Sequence, residues 1–154
     1  MFSLFKKKDD QPQDMRRIRH ADAFTLLVPA SWKQNPHPKH LSDSAPADAA
    51  SVTANAYAKE DGGLLDFAQY RFSSVQGFYA LVGVERRFTT NGLDIIWREY
   101  EGTWPGESQP TYYVVTCVGA QTIYLSLTIT TMRAEFTRNR KLYEDIIASV
   151  ERAV

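Results

Sequence analysis

An α+β fold, with an antiparallel β-sheet of about six strands packed with two main helices, is predicted by three features of this sequence. The first is Asn91-Gly92 between two apolar-rich runs, since both residues tolerate the positive φ that a tight hairpin requires. The second is the alternation of Ile123, Leu125, Leu127 and Ile129 with Tyr124, Ser126 and Thr128, the period of a strand with one buried face. The third is the recurrence of apolar residues every three or four positions over 64–79 and again over 136–150, the period of amphipathic helices. Hairpins make neighbouring strands antiparallel, and a helix with one apolar stripe needs a sheet face to cover.

The elements follow in chain order. Residues 16–20 read as a short strand leading into Phe24-Thr25-Leu26-Leu27-Val28, which is ended by Pro29 because proline has no N–H for a ladder. Residues 33–50 carry Pro, Ser, Asp and Ala without periodicity and read as a surface loop. Residues 51–59 alternate again, with Val52, Ala54, Ala56 and Ala58 on one side, small enough to let a helix pack close. A helix follows Gly62-Gly63, with Leu64, Phe67, Ala68, Phe72, Val75 and Phe78 or Tyr79 as its stripe. Around Asn91-Gly92 a two-residue turn pairs Phe88 with Ile95, Arg86 with Trp97 and Arg87 with Ile96, and sets Glu85 against Arg98 as a cross-strand ion pair. Residues 102–110 form a loop into a second hairpin, 111–118 and 122–130, joined at Gly119-Ala120-Gln121, where the glycine is expected to supply a positive φ. One amphipathic helix over 133–154 closes the chain, with Phe136, Tyr143, Ile146, Ile147 and Val150 on its apolar side.

Composition narrows the function. The chain has 154 residues, 44% hydrophobic and 12% aromatic, enough for one domain over 16–154 after a tail at 1–15. Eighteen basic and eighteen acidic residues cancel, so there is no electrostatic footprint for nucleic acid. The single Cys117 excludes an internal disulfide and a multi-cysteine zinc site, and its place in a strand reads as packing. No run is long enough for a transmembrane helix. Phe2, Leu4 and Phe5 beside Lys6, Lys7 and Lys8 are the wrong order for a signal peptide, which points to the cytoplasm, and they make only a weak surface anchor.

The layout resembles the PsbP-like superfamily. The residues that carry the likeness are the strand–Pro–x–x–Trp opening, Phe24 to Val28 with Pro29 and Trp32, the mid-chain helix, the double hairpin, and Ile146-Ile147-Ala148-Ser149-Val150 in the last helix. It is most similar to the DcrB branch. The resemblance implies an α-β-α sandwich and no shared enzyme activity. Members attach to photosystem complexes, one binds the small GTPase Ran, and a bacterial group resembling DcrB chaperones type VI secretion effectors by shielding their hydrophobic segments. DcrB itself has a lipoprotein signal that this sequence lacks, which favours the cytoplasmic chaperone or adaptor members.

Candidate chemistry is sparse. His37 and His40 with Asp43 or Asp48 have metal-ligand chemistry, but a proline-broken loop holds ligands poorly, so no metal and no cofactor is expected. His20 and Asp22 with a distant Ser31, Ser42 or Ser44 lack a nucleophile turn. Gly62-Gly63 and Gly102 with Gly106 lack the lysine and strand–helix setting of a phosphate loop. Glu60 and Asp61 suit a helix amino terminus. An enzyme is therefore not expected.

The better candidate is the second face of the sheet, where Tyr113, Val115 and Cys117 lie beside Tyr124, Ser126 and Thr128, extended by Ile96, Arg98 and Tyr100. Its mixture of aromatic, hydroxyl and β-branched side chains is expected to stay at least partly open and to contact another protein, either a client segment or a second copy in a homodimer. Its alternative is ordinary core beneath a helix. A chaperone or adaptor needs that face exposed. A structural subunit of a larger complex needs exposed aromatics in the 33–50 loop or at Trp104, and a small-molecule or lipid binder needs an enclosed apolar cavity.

Overall fold

The alternation seen in the sequence becomes two antiparallel sheets in a computed structural model that describes residues 14–20, 23–37, 40–59, 62–103 and 105–153. The expected tail with its Phe2, Leu4, Phe5 and lysine cluster, together with Asp22, Glu60, Asp61 and Trp104, lies outside the described residues. A small sheet joins β1 (Met15–His20), β2 (Phe24–Pro29) and β10 (Glu151–Arg152) in the order β1-β2-β10. The large sheet contains β3 (Lys33–Gln34), β4 (Leu41–Ser44), β5 (Ala50–Ala58), β6 (Ala80–Thr90), β7 (Leu93–Gly102), β8 (Thr111–Gly119) and β9 (Ile123–Met132), in the order β3-β4-β5-β9-β8-β7-β6. Helix α1 is Gly63–Gln76, α2 is Arg133–Arg138 and α3 is Arg140–Ala148.

The β6–β7 hairpin has the predicted register, Phe88 opposite Ile95 and Arg86 opposite Trp97, about an Asn91-Gly92 turn with φ of 50° and 75°. Glu85 and Arg98 form the expected ion pair at 2.9 Å, although the register shifts between Val82 and Arg86 in a bulge that contains Gly83 at φ 76°.

Parity divides the buried side chains into two cores. Ile95, Trp97, Val114, Val118, Leu125, Leu127 and Ile129 point to one side and pack with Phe24, Leu26 and Val28 of the small sheet and with Phe136, Tyr143, Ile146 and Ile147 of α2 and α3. The opposite parity, including Ile96, Tyr100, Val115 and Cys117, packs against Ala68 and Phe72 of α1 and against Tyr79. Buried Glu99 fastens α3 to the sheet, accepting from Trp97 Nε1 at 3.1 Å, from the Tyr112 hydroxyl, and from Arg140 Nη2 at 2.8 Å.

Four local expectations are corrected. The 33–50 segment is not simply a loop: it holds β3 and β4, with Leu41 and Asp43 buried and Arg16 donating to the Asp43 carboxylate. Strands this short leave no visible period. The small side chains of β5 face β1 rather than a helix, and Ala50, Val52 and Ala54 share the core with Ile18 and Phe24. The last helix breaks at Asn139, at φ −117° and ψ 30°, where the Asn139 side chain donates to Glu135 at 2.6 Å and competes with helical bonding. The chain then returns to the small sheet as β10.

The fourth correction concerns Gly119, which is a strand residue without positive φ. The turn is Gln121-Thr122, closed by Ala120 N–H donating to Ile123 O at 3.0 Å. A Cβ on Gly119 would stand 2.9 Å from Leu64 Cδ2, so the glycine lets α1 approach the sheet.

Side chains finish the ladders where short strands run out. Beyond Leu41, the last residue of β4 to pair with β5, the Ala56 N–H donates to His20 Nε2 at 3.2 Å. Beyond β10, the Leu27 N–H donates to Ser149 Oγ at 2.8 Å.

Two predictions follow from this packing. Leu127→Ala should cost about 2–5 kcal/mol in denaturant unfolding, since it opens a cavity in the larger core. Gly119→Val should cost about 1–3 kcal/mol through overpacking, and adding Leu64→Ala should recover part of that loss.

A third concerns pH. Burial, aided by His40, holds the His20 imidazole below its ordinary value of 6.5, and its bond to Ala56 requires the neutral ring. Above that value both folded and unfolded chains carry it neutral. As pH falls below about 6.5 the unfolded chain takes up a proton that the fold refuses, so stability declines until the lower folded value is passed. The melting temperature of His20→Gln should vary less than that of the parent between about pH 7.5 and 5.5. Equal slopes would assign the pH dependence to other groups.

Candidate functional site

Helix α1 decides what the second face can do. Seven strands about 4.8 Å apart make a face about 29 Å wide, while one helix is about 10 Å across. The helix therefore runs over the middle and leaves both flanks.

Ile96, Arg98, Tyr100, Tyr113, Val115, Tyr124, Ser126 and Thr128 share this face, as the alternation predicted. The expectation was a face at least partly open, and only its margin is so: Ile96, Tyr100, Val115, Tyr124 and Ser126 are buried beneath the helix, while Arg98, Tyr113 and Thr128 are half-buried. The polar residues that suggested an open surface instead help to seat the helix. Ser126 Oγ accepts from Arg71 Nε of α1 at 3.2 Å, and the Arg98 guanidinium lies 4.4 Å from the centre of the Phe72 ring. Cys117 lies beneath α1 with its thiol pushed up to about 12 by burial, in keeping with packing and not with reactivity.

The exposed large apolar side chains among the described residues are Tyr57, Leu65, Tyr70, Phe78, Leu81 and Val84. All lie on α1, on the segment just after it, or on the neighbouring strands β5 and β6. Tyr70 and Phe78 are 74% and 72% exposed. Leu81 pairs with Tyr100 across the ladder and so faces the α1 side. Two clefts flank the helix, both open to solvent. One of about 440 Å³ lies between α1 and the ends of β5 and β9, lined by Tyr57, Phe67, Tyr70, Arg71 and Tyr124. The other, about 530 Å³, is lined by Leu64, Leu65, Phe88, Ile95 and Ile96 on the β6–β7 side. Sequence reasoning missed Tyr57, Leu65, Tyr70 and Arg71. Their signal was position, since Leu65 and Tyr70 are large apolar residues off the buried stripe of α1.

The sequence-level metal candidates do not converge. The His37 and His40 rings stack at 3.5 Å between centroids, while Asp43 is held by Arg16. Among the described residues no group of three or more His, Cys, Asp or Glu side chains is placed to hold a metal ion. The His20 ring is occupied by Ala56. No helix among the described residues is long and apolar enough to cross a membrane.

No family model and no curated protein matches the sequence. Solved structures do match the fold. Cyanobacterial PsbP from Synechocystis sp. PCC 6803 superposes with a TM-score of 0.64 at 13% identity, over 93% of this chain and 95% of its own. The fold is PsbP-like. LpqN of Mycobacterium tuberculosis, described as involved in cell envelope biogenesis, gives a TM-score of 0.66 at 13% identity over 97% of this chain and 95% of its own. A Bacteroides thetaiotaomicron structure gives 0.59 at 14% identity over 84% of this chain, which spans only 44% of that longer protein. At such identities the PsbP-like likeness concerns the α+β architecture alone.

With the face closed, Val115→Glu should unfold the domain, seen as loss of the cooperative melting transition. Cys117 should react with a thiol reagent only at the rate of unfolding. Fast labelling in the native protein would show that α1 lifts from the sheet.

Proposed function

We propose that this protein is a non-enzymatic binding module whose α1 side docks a hydrophobic segment of another protein, as a chaperone or adaptor does. The observation that carries this reading is the segregation of exposed apolar side chains. Tyr57, Leu65, Tyr70, Phe78 and Leu81 border one helix, while the opposite layer is finished by the small sheet, α2 and α3. Single exposed apolar residues are ordinary on any surface, but a set of them around two clefts is the composition of a docking surface.

The free edge of β6 is a poorer candidate for strand pairing with a second copy. Its bulge at Gly83 and its charged Glu85, Arg86 and Arg87 are the devices that keep an edge strand from adding a neighbour. Side-chain docking over α1 is therefore favoured over edge-to-edge dimerisation. A narrower form of the proposal, motivated by the resemblance to the DcrB-like branch, is a client among type VI secretion effectors, met in the cytoplasm.

A photo-crosslinking amino acid at Tyr70 or Phe78 should capture a protein partner in the native host, whereas the same group at Lys141, on α3, should not. Tyr70→Glu with Phe78→Glu should abolish capture from a crosslinker at Leu65 and leave the melting temperature within a few degrees of the parent. Capture that is equal from Lys141, or unaffected by the double substitution, would remove the α1 surface from consideration.

A further inference from the structure

The cleft between α1 and the ends of β5 and β9 contains a cation that the described residues leave without a counter-charge. Arg71 uses Nε on Ser126, and its guanidinium lies 5.8 Å from the centre of the Tyr57 ring. Among the described residues no carboxylate pairs with it. Its neighbours on the same side of the sheet differ, since Arg87 and Arg98 share Glu85 at 2.6 and 2.9 Å. Ser126 is 2% exposed and anchors the arginine from below, so Arg71 is oriented while, among the described residues, no side chain takes up its terminal nitrogens.

The walls around this charge are aromatic. Phe67 packs between Tyr57 and Tyr124, with ring centres 5.4 and 5.0 Å apart, and Tyr70 stands at the rim. Among the described residues the buried Tyr124 hydroxyl has no hydrogen-bond partner. Asp66, in the first turn of α1 and close to Gly62, also lines the cleft.

We propose that this cleft binds a carboxylate attached to an apolar or aromatic body. A planar guanidinium with free terminal donors matches the two oxygens of a carboxylate in a paired geometry. A phosphate dianion fits less well, because Arg71 is the one cation among the described residues lining the cleft and Asp66 also lines it. The rings supply contact area for the apolar body, and the volume of about 440 Å³ lies in the range of ligand sites. Two sources provide such a group: a free organic acid, or an acidic residue flanked by apolar residues in a partner segment. The site stands on the cleft alone, independent of whether a protein docks at Tyr70 and Phe78.

The test is a titration of the full chain, followed by NMR at the Arg71 Nε–H and the Tyr57 and Tyr70 amides. The probes are 4-phenylbutyrate and its neutral isostere 4-phenylbutyramide. The acid should produce saturable shifts at these positions and bind about tenfold or more tightly than the amide, as expected for a charge-assisted pair. Arg71→Gln should reduce binding of the acid to the level of the amide and leave amide binding unchanged, while the protein keeps a cooperative melting transition.

A second arm compares capped acetyl-Leu-Glu-Phe-amide with its Gln counterpart. Preference for the Glu peptide, with affinity above that of the free acid, assigns the source to a protein segment; a weaker Glu peptide assigns it to an organic acid, and either result supports the site. Equal binding of acid and amide, no saturable binding of either acid, or an Arg71→Gln protein that binds the acid undiminished would overturn it. Crosslinking at Tyr70 can fail while the acid still binds, so the two results separate this inference from the proposed docking function.

Discussion

The register of β8 against β9 fixes both cores at once. Val118 opposite Leu125 and Cys117 opposite Ser126 assign every residue of the central strands to one of the two faces. A slip of one position would exchange those faces, turning Leu125, Leu127 and Ile129 toward α1 and bringing Ser126 and Thr128 into the larger core. Neither partner layer would fit. The small sheet and α3 offer Phe24, Leu26, Ile146 and Ile147 to one side only, and α1 offers a narrow stripe centred on Ala68 and Phe72. Helix placement, the close approach at Gly119 and the anchoring of Arg71 on Ser126 all depend on that pairing.

Period made much of this legible in the sequence. The 123–129 alternation and Asn91-Gly92 identified the two long hairpins, and the face shared by Tyr113, Val115, Tyr124 and Ser126 follows from alternation alone. Short elements were less visible. β3, β4 and β10 have two to four residues each, too few for a period to show, and they are secured by distant partners such as Arg16 for Asp43. Whether the second face is open was not legible, because polarity had two explanations. Hydroxyl side chains such as Ser126 suggested an open face, yet Ser126 accepts a hydrogen bond from α1. Arg71 carries no motif and becomes notable only when the described residues around it are seen to supply no carboxylate partner.

The two faces of the large sheet are finished unequally. One is covered by a second sheet and two helices, and its buried acids are met by donors, Glu99 by Trp97, Tyr112 and Arg140 and Asp43 by Arg16. The other is covered by a helix of 14 residues with clefts on both sides. Sheets that bury both faces read as continuous apolar runs, whereas β9 does not, and the difference marks the side on which the layer is incomplete. The larger core provides rigidity, and the side with the thinner cover is where large side chains meet solvent.

The tie between β2 and β10 has a consequence for how the chain acquires its structure. Thr25 and Phe24 pair with Glu151 and Arg152, and at the far end of the β6–β7 hairpin Thr90 Oγ1 and Asn91 Nδ2 hold the carbonyls of Ala148 and Val150 at 2.6 and 3.0 Å. Strand β2 thus waits for residues made much later, and the small sheet cannot be completed until the residues after α3 have emerged. Such widely separated pairings slow folding and lengthen the time for which Phe24, Leu26 and the β9 leucines stay uncovered. The nascent chain therefore carries uncovered core strands until the residues after α3 join them.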